Sequence, residues 1–411
     1  MTETSRSARD QSRRRFLRYL AASPLAASGF QAALAQANPN APVNAINQTI
    51  GPVNVFDFEA LAEQAIPPAH FGYLQTGVLD DKQVRVNREG FDKFGIRVRR
   101  LVNPADVDLS VSVFGTDYAT PIFFSPIGAA GAFHPEGELA VSRAARSKDT
   151  LQMLSTVATR SIEDVIEARG GPAWFQLYTT GSEEVASQIT RRAEDAGASA
   201  IVLTVDLLGG GHRRETAARY TAMDDRDCFA CHDSRLGFAG TVARRPNLSG
   251  IDPALAGGLG STWVNWDYVG RLRDQVQGRL ILKGIVTAED AELALEYGVD
   301  GIIISNPGGR AEESLISTIE QVPEIAAVVN GRMPIIVDSG FRRGTDVFKA
   351  LAMGATAVGI GRPHCWGLGA MGQEGVEQVV DILNAELRTT MRQAGCASIA
   401  EITDAYVRRL T

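Results

Sequence analysis

Short runs of consecutive apolar residues, many of them β-branched, recur along the chain, and each empties into glycine and charge. Gly301–Arg310, GIIISNPGGR, is the fullest example. Its relatives are LTVDLLGGGHRRE at 203–215, LILKGIVTAED at 280–290, PIIVDSGFRRG at 334–344 and AVGIGRP at 357–363. A strand buried on both faces shows no polar alternation, so runs of this kind separated by amphipathic helices predict a parallel sheet. The predicted strands are Pro121–Ser125, Leu151–Ser155, Ala173–Tyr178, Ala200–Asp206, Leu280–Gly284, Gly301–Asn306, Pro334–Ser339 and Ala357–Gly361. Eight strands, each followed by a helix-like stretch, make an α/β chain of the (β/α)8 TIM-barrel type, whose site lies at the C-terminal strand ends. The runs deliver their polar residues at those ends.

Four of these stretches also carry a family resemblance: FQLY at 175–178, LTVD at 203–206, LKGI followed by AEDA within 282–291, and the DSGFRRGTDVFKALAMGA run at 338–355. From about Val55 to the C-terminus the chain resembles the FMN-dependent 2-hydroxy acid dehydrogenases and oxidases, such as glycolate oxidase, flavocytochrome b2, mandelate dehydrogenase and lactate monooxygenase. The resemblance implies oxidation of a small lactate- or mandelate-like 2-hydroxy acid to the 2-oxo acid on bound FMN. It places Pro126, Ile127, Gly128, Ser155, Gln176 and Thr204 along the isoalloxazine, Lys283 at its N1–C2=O edge, and Ser305 beside them. Tyr73, Tyr178, Arg214 and Arg310 take the family's substrate positions. The tract Gly209-Gly210-Gly211-His212 carries an apparent one-residue insertion, so Arg213 is the alternative to Arg214.

Residue chemistry supports these assignments. Arginine's planar fork matches a carboxylate bidentately. A lysine among apolar neighbours in LILKG is costly to bury without a partner. Asp338, Gly340, Arg342, Gly361 and Arg362 follow strands seven and eight, the usual phosphate site of a barrel. Gly128 leaves oxidase and dehydrogenase behaviour both open.

One position breaks the family pattern. The signature histidine, which takes a proton from the substrate, is replaced by Pro307. Proline has no titratable group, and its ring fixes φ, so the loop is expected to keep its course while the base is lost. His212 is the candidate substitute, beside the plain reading of an exposed loop histidine. Hence a same-fold flavoprotein with other chemistry (an isomerase, a lyase, or an enzyme for another anionic substrate), and a flavin-binding or electron-transfer protein without turnover, both stay open.

The N-terminal part is of another kind. Ser12-Arg13-Arg14-Arg15-Phe16-Leu17-Arg18, an Ala-rich run and Ala35-Gln36-Ala37 predict a twin-arginine signal peptide over residues 1–37, and hence a periplasmic protein. Residues 38–54 are expected to form a linker or arm, and 55–411 the barrel domain; Phe56–Gln75 has the apolar spacing of a helix. The chain has 41 basic and 48 acidic residues, net −7; the leader holds six arginines against two acids, leaving the remainder at −11. That charge offers no footprint for nucleic acid or anionic lipid, and no other stretch is long and apolar enough to span a membrane. Expected partners are the 2-hydroxy or 2-oxo acid, an electron acceptor such as a cytochrome or quinone, and further copies of the chain.

A long Gly-, Arg- and Asp-rich stretch runs from strand four to Trp263 and is expected to form a lid or docking loop. Within it Cys228-Phe229-Ala230-Cys231-His232 matches the CxxCH attachment signature of haem c. A disulfide, a metal clip or a relic are the competing readings.

Overall fold

The computed structural model describes residues 51–102, 104, 106–207, 212–226, 237–260 and 262–410. The leader, all but the end of the arm, and the CxxCH pentad lie outside the described residues. The eight predicted strands are all present: β1 Ile122–Phe124, β2 Met153–Ser155, β3 Trp174–Leu177, β4 Ala200–Thr204, β5 Arg279–Ile285, β6 Gly301–Ile304, β7 Ile335–Val337 and β8 Ala357–Ile360. Every neighbouring pair from β2 to β8 is parallel, and β8 pairs with β1. The ring closes where Phe124 bridges Gln152 and its N–H donates to the Leu151 carbonyl at 2.9 Å.

Continuous burial along the strands conceals a period of two. Phe123, Met153, Trp174, Val202, Ile281, Ile303, Ile336 and Ala357 form one apolar cluster, which fills the barrel and is sealed below by the hairpin Val111–Val113 and Thr116–Tyr118. Their neighbours Phe124, Leu154, Phe175, Leu203, Leu282, Ile302 and Val337 belong to the other cluster, packed with the helices. Alternation then dictates the next inward position on each strand. Those positions are Ser125, Ser155, Gln176, Thr204, Lys283, Ser305, Asp338 and Gly359. A polar ring therefore caps the apolar plug at the C-terminal end.

The predicted helix over Phe56–Gln75 is two helices, because Pro67 and Pro68 interrupt it: α1 Val55–Ala65 and α2 Pro68–Gln75. A capping box of Asn54 and Asp57 starts α1. Proline lacks the N–H that would continue α1, yet is well suited to the first turn of α2. The stretch after β4 is likewise more ordered than a loop, with helices Glu215–Ala222 and Gly237–Arg244 among its described residues. No described helix is long and apolar enough to cross a membrane.

Candidate active site

The polar ring is cross-linked. Ser155 Oγ donates to Gln176 Oε1 at 2.9 Å, and Lys283 Nζ donates to Ser305 Oγ at 2.7 Å. Lys283 Nζ also lies 3.5 Å from Asp338 and 3.8 Å from Asp206. Asp338 is further held by the Ser125 and Ser339 hydroxyls. The lysine opposes its own desolvation through these two carboxylates, and its pKa ends up raised, so the ammonium stays charged. Asp338, expected at a phosphate, instead serves to hold this cation.

Above the ring is a cavity of about 310 Å³, and the predicted residues Tyr73, Pro126, Ile127, Gly128, Gln176, Tyr178, Thr204, His212, Arg214, Lys283, Pro307, Arg310, Asp338, Gly340, Arg342, Gly361 and Arg362 line it. Ser155 and Ser305 sit just below, within the ring. Arg214 lines the cavity and Arg213 does not, which separates those two candidates by position.

Helix α2 organises the arginines. The last carbonyls of a helix lack intrahelical donors and carry the negative end of its dipole, so cations gather there. Arg214 donates to the carbonyls of Tyr73 and Thr76, Arg310 to that of Tyr73, and Arg362 to those of Leu74 and Thr76. Both Arg214 and Arg310 stack on the Tyr73 ring, at 5.1 and 4.4 Å. Arg362 also bonds the Gly308 carbonyl, so its guanidinium ties α2 to the β6 loop, whereas a phosphate contact was expected of it. Arg342, buried, packs over Trp366 at 4.6 Å. Burial and neighbouring arginines lower the pKa of Arg214 and of Arg342 to about 10 and that of Arg362 well below the usual value. Mutually repelling cations around one cavity make an anion its natural occupant.

Pro307 lines the cavity at the β6 exit and is followed by Gly308 at φ 66° and Gly309 at 79°, so the loop turns through the two glycines while position 307 offers no base. His212 is exposed at the cavity mouth, its N–H bonded to the Ala311 carbonyl.

Sequence reasoning left Asp206 out of the site. It ends the LTVD run, and its side chain is only 8 % exposed. Neither carboxylate oxygen has a hydrogen-bond partner among the described residues. Burial, opposed by Lys283 and reinforced by Asp338, pushes its pKa up to about 7. A carboxylate one alternation beyond Thr204 on a barrel strand was the available signal. Asn306 was missed too; its amide pairs reciprocally with Asn87 at 2.8 Å and fixes the β6 loop.

The chain matches the model of the FMN-dependent dehydrogenase family over residues 62–409. It belongs to that family. It is 40 % identical to an L-lactate oxidase of Lysinibacillus sphaericus (strain C3-41) over 85 % of this chain and 90 % of that protein. It is 37 % identical to the peroxisomal (S)-2-hydroxyacid oxidase GLO3 of Arabidopsis thaliana, over 87 % and 96 % respectively. Among solved structures it superposes on a soluble mutant of the membrane-associated (S)-mandelate dehydrogenase from Pseudomonas putida with a TM-score of 0.79 and 33 % identity, covering 87 % of this chain and 99 % of that one.

The donor set fits FMN. Gln176 Nε2 and Thr204 Oγ1 are buried without partners among the described residues, as donors awaiting a polar ring edge would be. Lys283 supplies fixed positive charge beside them, and Gly340, with φ 101°, has no room for a Cβ against the Asn87 backbone. Gly340, Arg342 and Gly361 line the same cavity and would hold the phosphate.

Proposed function

We propose that this chain oxidises a lactate- or mandelate-like L-2-hydroxy acid to the 2-oxo acid. The observation that carries the reading is the convergence of Arg214 and Arg310 on Tyr73 above the polar ring. Two guanidiniums held by one helix end form a receptor for a small carboxylate, and they sit directly over the ring-facing residues. Bound FMN supplies the two-electron acceptor. Tyr178 lies alongside, its phenol kept protonated by burial and by nearby Asp206 and Tyr73, so it donates to the substrate. Lys283, charged and fixed by Asp338 and Ser305, favours negative charge on whatever lies over it. Pro307 handles no proton. The electrons pass on to an external acceptor such as a cytochrome or quinone.

We further propose that the chain leaves the cytoplasm folded, by the twin-arginine route, with cleavage after Ala37. A route for folded proteins suits an enzyme that must take up its flavin first.

Anaerobic addition of 2-hydroxy acids to the flavin-loaded protein tests the reaction. Bleaching of the flavin by an L-2-hydroxy acid is expected. Conversion of substrate without net reduction, or binding with neither, would replace this reading by an isomerase or lyase, or by a flavin-binding protein without turnover.

A further inference from the structure

An acid whose carboxylate is received by Arg214 and Arg310 still needs room for the rest of its skeleton. We infer that this skeleton is an apolar chain ending in a second carboxylate, received by Arg245, so that the substrates are 2-hydroxy diacids. The inference rests on the reaction proposed above and narrows its substrate.

A second cavity adjoins the one over the polar ring, and Tyr73, Gly128 and Arg214 line both. A side chain leaving a carboxylate held by Arg214 therefore meets it at once. Gly128 leaves space at that junction, because a Cβ there would lie 2.7 Å from Val157 Cγ2 and 3.6 Å from the Tyr73 hydroxyl. The second cavity measures about 810 Å³, far more than a lactate methyl group needs. Its walls include Ala69 of α2, Ala129 and Ala132 after β1, Val157 after β2, and Ala217 of the helix Glu215–Ala222. Small apolar side chains of this kind suit a hydrocarbon chain.

Three of the charged residues lining this cavity are already engaged. Arg214 is bonded to carbonyls at the end of α2. Asp224 pairs with Arg226 at 2.7 Å and also accepts the Ala69 N–H. Arg245 is the exception, since its guanidinium has no hydrogen bond or ion pair among the described residues. Burial lowers its pKa, and Tyr73 and Glu138 oppose the fall. Glu138 is committed elsewhere: its buried carboxylate accepts the N–H groups of Ala130 and Thr159 and the Thr159 hydroxyl.

The position of Arg245 is fixed from the barrel. It follows the helix Gly237–Arg244 and opens the turn Pro246–Leu248. In that turn Leu248 is fully buried, and the Asn247 side chain accepts the Ile162 N–H at 2.9 Å and donates to the Arg160 carbonyl at 3.2 Å. A half-buried guanidinium without a partner, held rigidly beside an apolar wall, is matched by an anion with two coplanar oxygens. Two carboxylates joined by methylene groups satisfy the first pair of arginines, the alanine-lined wall and Arg245 together.

Equilibrium binding to the flavin-loaded protein tests the inference without turnover. Flavin spectra are titrated with 2-oxo acids in pairs of equal chain length, 2-oxoadipate against 2-oxohexanoate and 2-oxosuberate against 2-oxooctanoate. Wild type should bind the diacid of at least one pair roughly 10-fold or more tightly, the effect of a hydrogen bond between charged groups. Arg245→Met should abolish that preference and Arg245→Lys should keep part of it, while FMN content and the Kd of pyruvate stay within threefold of wild type in both. Equal or tighter binding of the monoacid by wild type at both lengths would overturn the inference, and this comparison needs no variant. So would a diacid preference that survives Arg245→Met, or an effect of Arg245→Met confined to reoxidation of the flavin by an external acceptor. Reduction of wild type by 2-hydroxyhexanoate without any diacid preference would sink this inference and leave the reaction standing. A diacid preference in binding, with no 2-hydroxy acid of either kind reducing the flavin, would remove the reaction and keep Arg245 as a carboxylate receptor.

Discussion

Replacing Arg310 by methionine keeps an unbranched apolar stem and removes the guanidinium fork. In the wild type the guanidinium is partly buried, donates to the Tyr73 carbonyl and stacks on the Tyr73 ring. Removing one partner of a hydrogen-bonded charge pair costs about 2–5 kcal/mol. Here the loss is partly offset, because Arg214 remains on the same carbonyl and no longer feels Arg310, whose charge helps to depress its pKa. The lower part of the range therefore applies: about 2–3 kcal/mol, or roughly a 30- to 160-fold rise in Kd for a 2-oxo acid or oxalate. FMN content should not change, since Arg342, Gly340 and Gly361 are left intact. Titration of the flavin spectrum with oxalate at fixed ionic strength reads this directly, and Arg310→Lys should recover only part of the loss because it lacks the planar fork. Affinity within threefold of wild type would show that the two arginines do not receive the carboxylate together.

Three further outcomes are expected. Lys283→Met leaves Asp206 and Asp338 buried without their cation, so the protein should lose about 3–5 kcal/mol of stability and retain flavin poorly; an unchanged Tm with full flavin content would contradict this. Asp206 has its pKa raised from the ordinary 3.8 to about 7, so its contribution is intact at acid pH and is lost as pH rises through about 7; Asp206→Asn should therefore gain on wild type between pH 4 and 8, by about 4 kcal/mol or roughly 5 °C in Tm, and a pH-independent difference would refute it. Pro307→His should raise flavin reduction by L-lactate or L-mandelate, by about 10²–10⁴-fold at most; reduction no faster than wild type would show that position 307 is not where a base is wanted.

The barrel was legible because each strand is an uninterrupted apolar run closed by glycine and charge, and such runs are rare outside doubly covered sheets. The polar ring follows from the same runs: once Val202 is known to face inward, Thr204 must, and so must Lys283 after Ile281. Other features depend on what lies across space. Nothing in LTVD tells that the aspartate has no donor, because that depends on how Lys283 divides itself among Ser305, Asp338 and Asp206. Arg362 sits in a sequence context typical of phosphate contacts, yet the carbonyl-rich end of α2 takes its guanidinium. The break at Pro67–Pro68 was readable and was overridden by the apolar spacing on either side. The Asn306–Asn87 pair that fixes the β6 loop was not readable, since the two residues lie far apart in sequence.

Tyr178 and Asp206 are set on adjacent strands, one alternation above the polar ring. Burial raises both, but with opposite consequences at neutral pH. The phenol, already protonated in water, becomes a more secure donor. The carboxyl, ionised in water, is brought to the point where it can hold a proton or release it. Lys283, 3.8 Å away and already bonded to Ser305, opposes that rise, and Asp338 reinforces it. Gly284 is what lets the carboxylate lie there: a Cβ on it would stand 2.7 Å from Asp206 Cβ and 2.8 Å from its Oδ2.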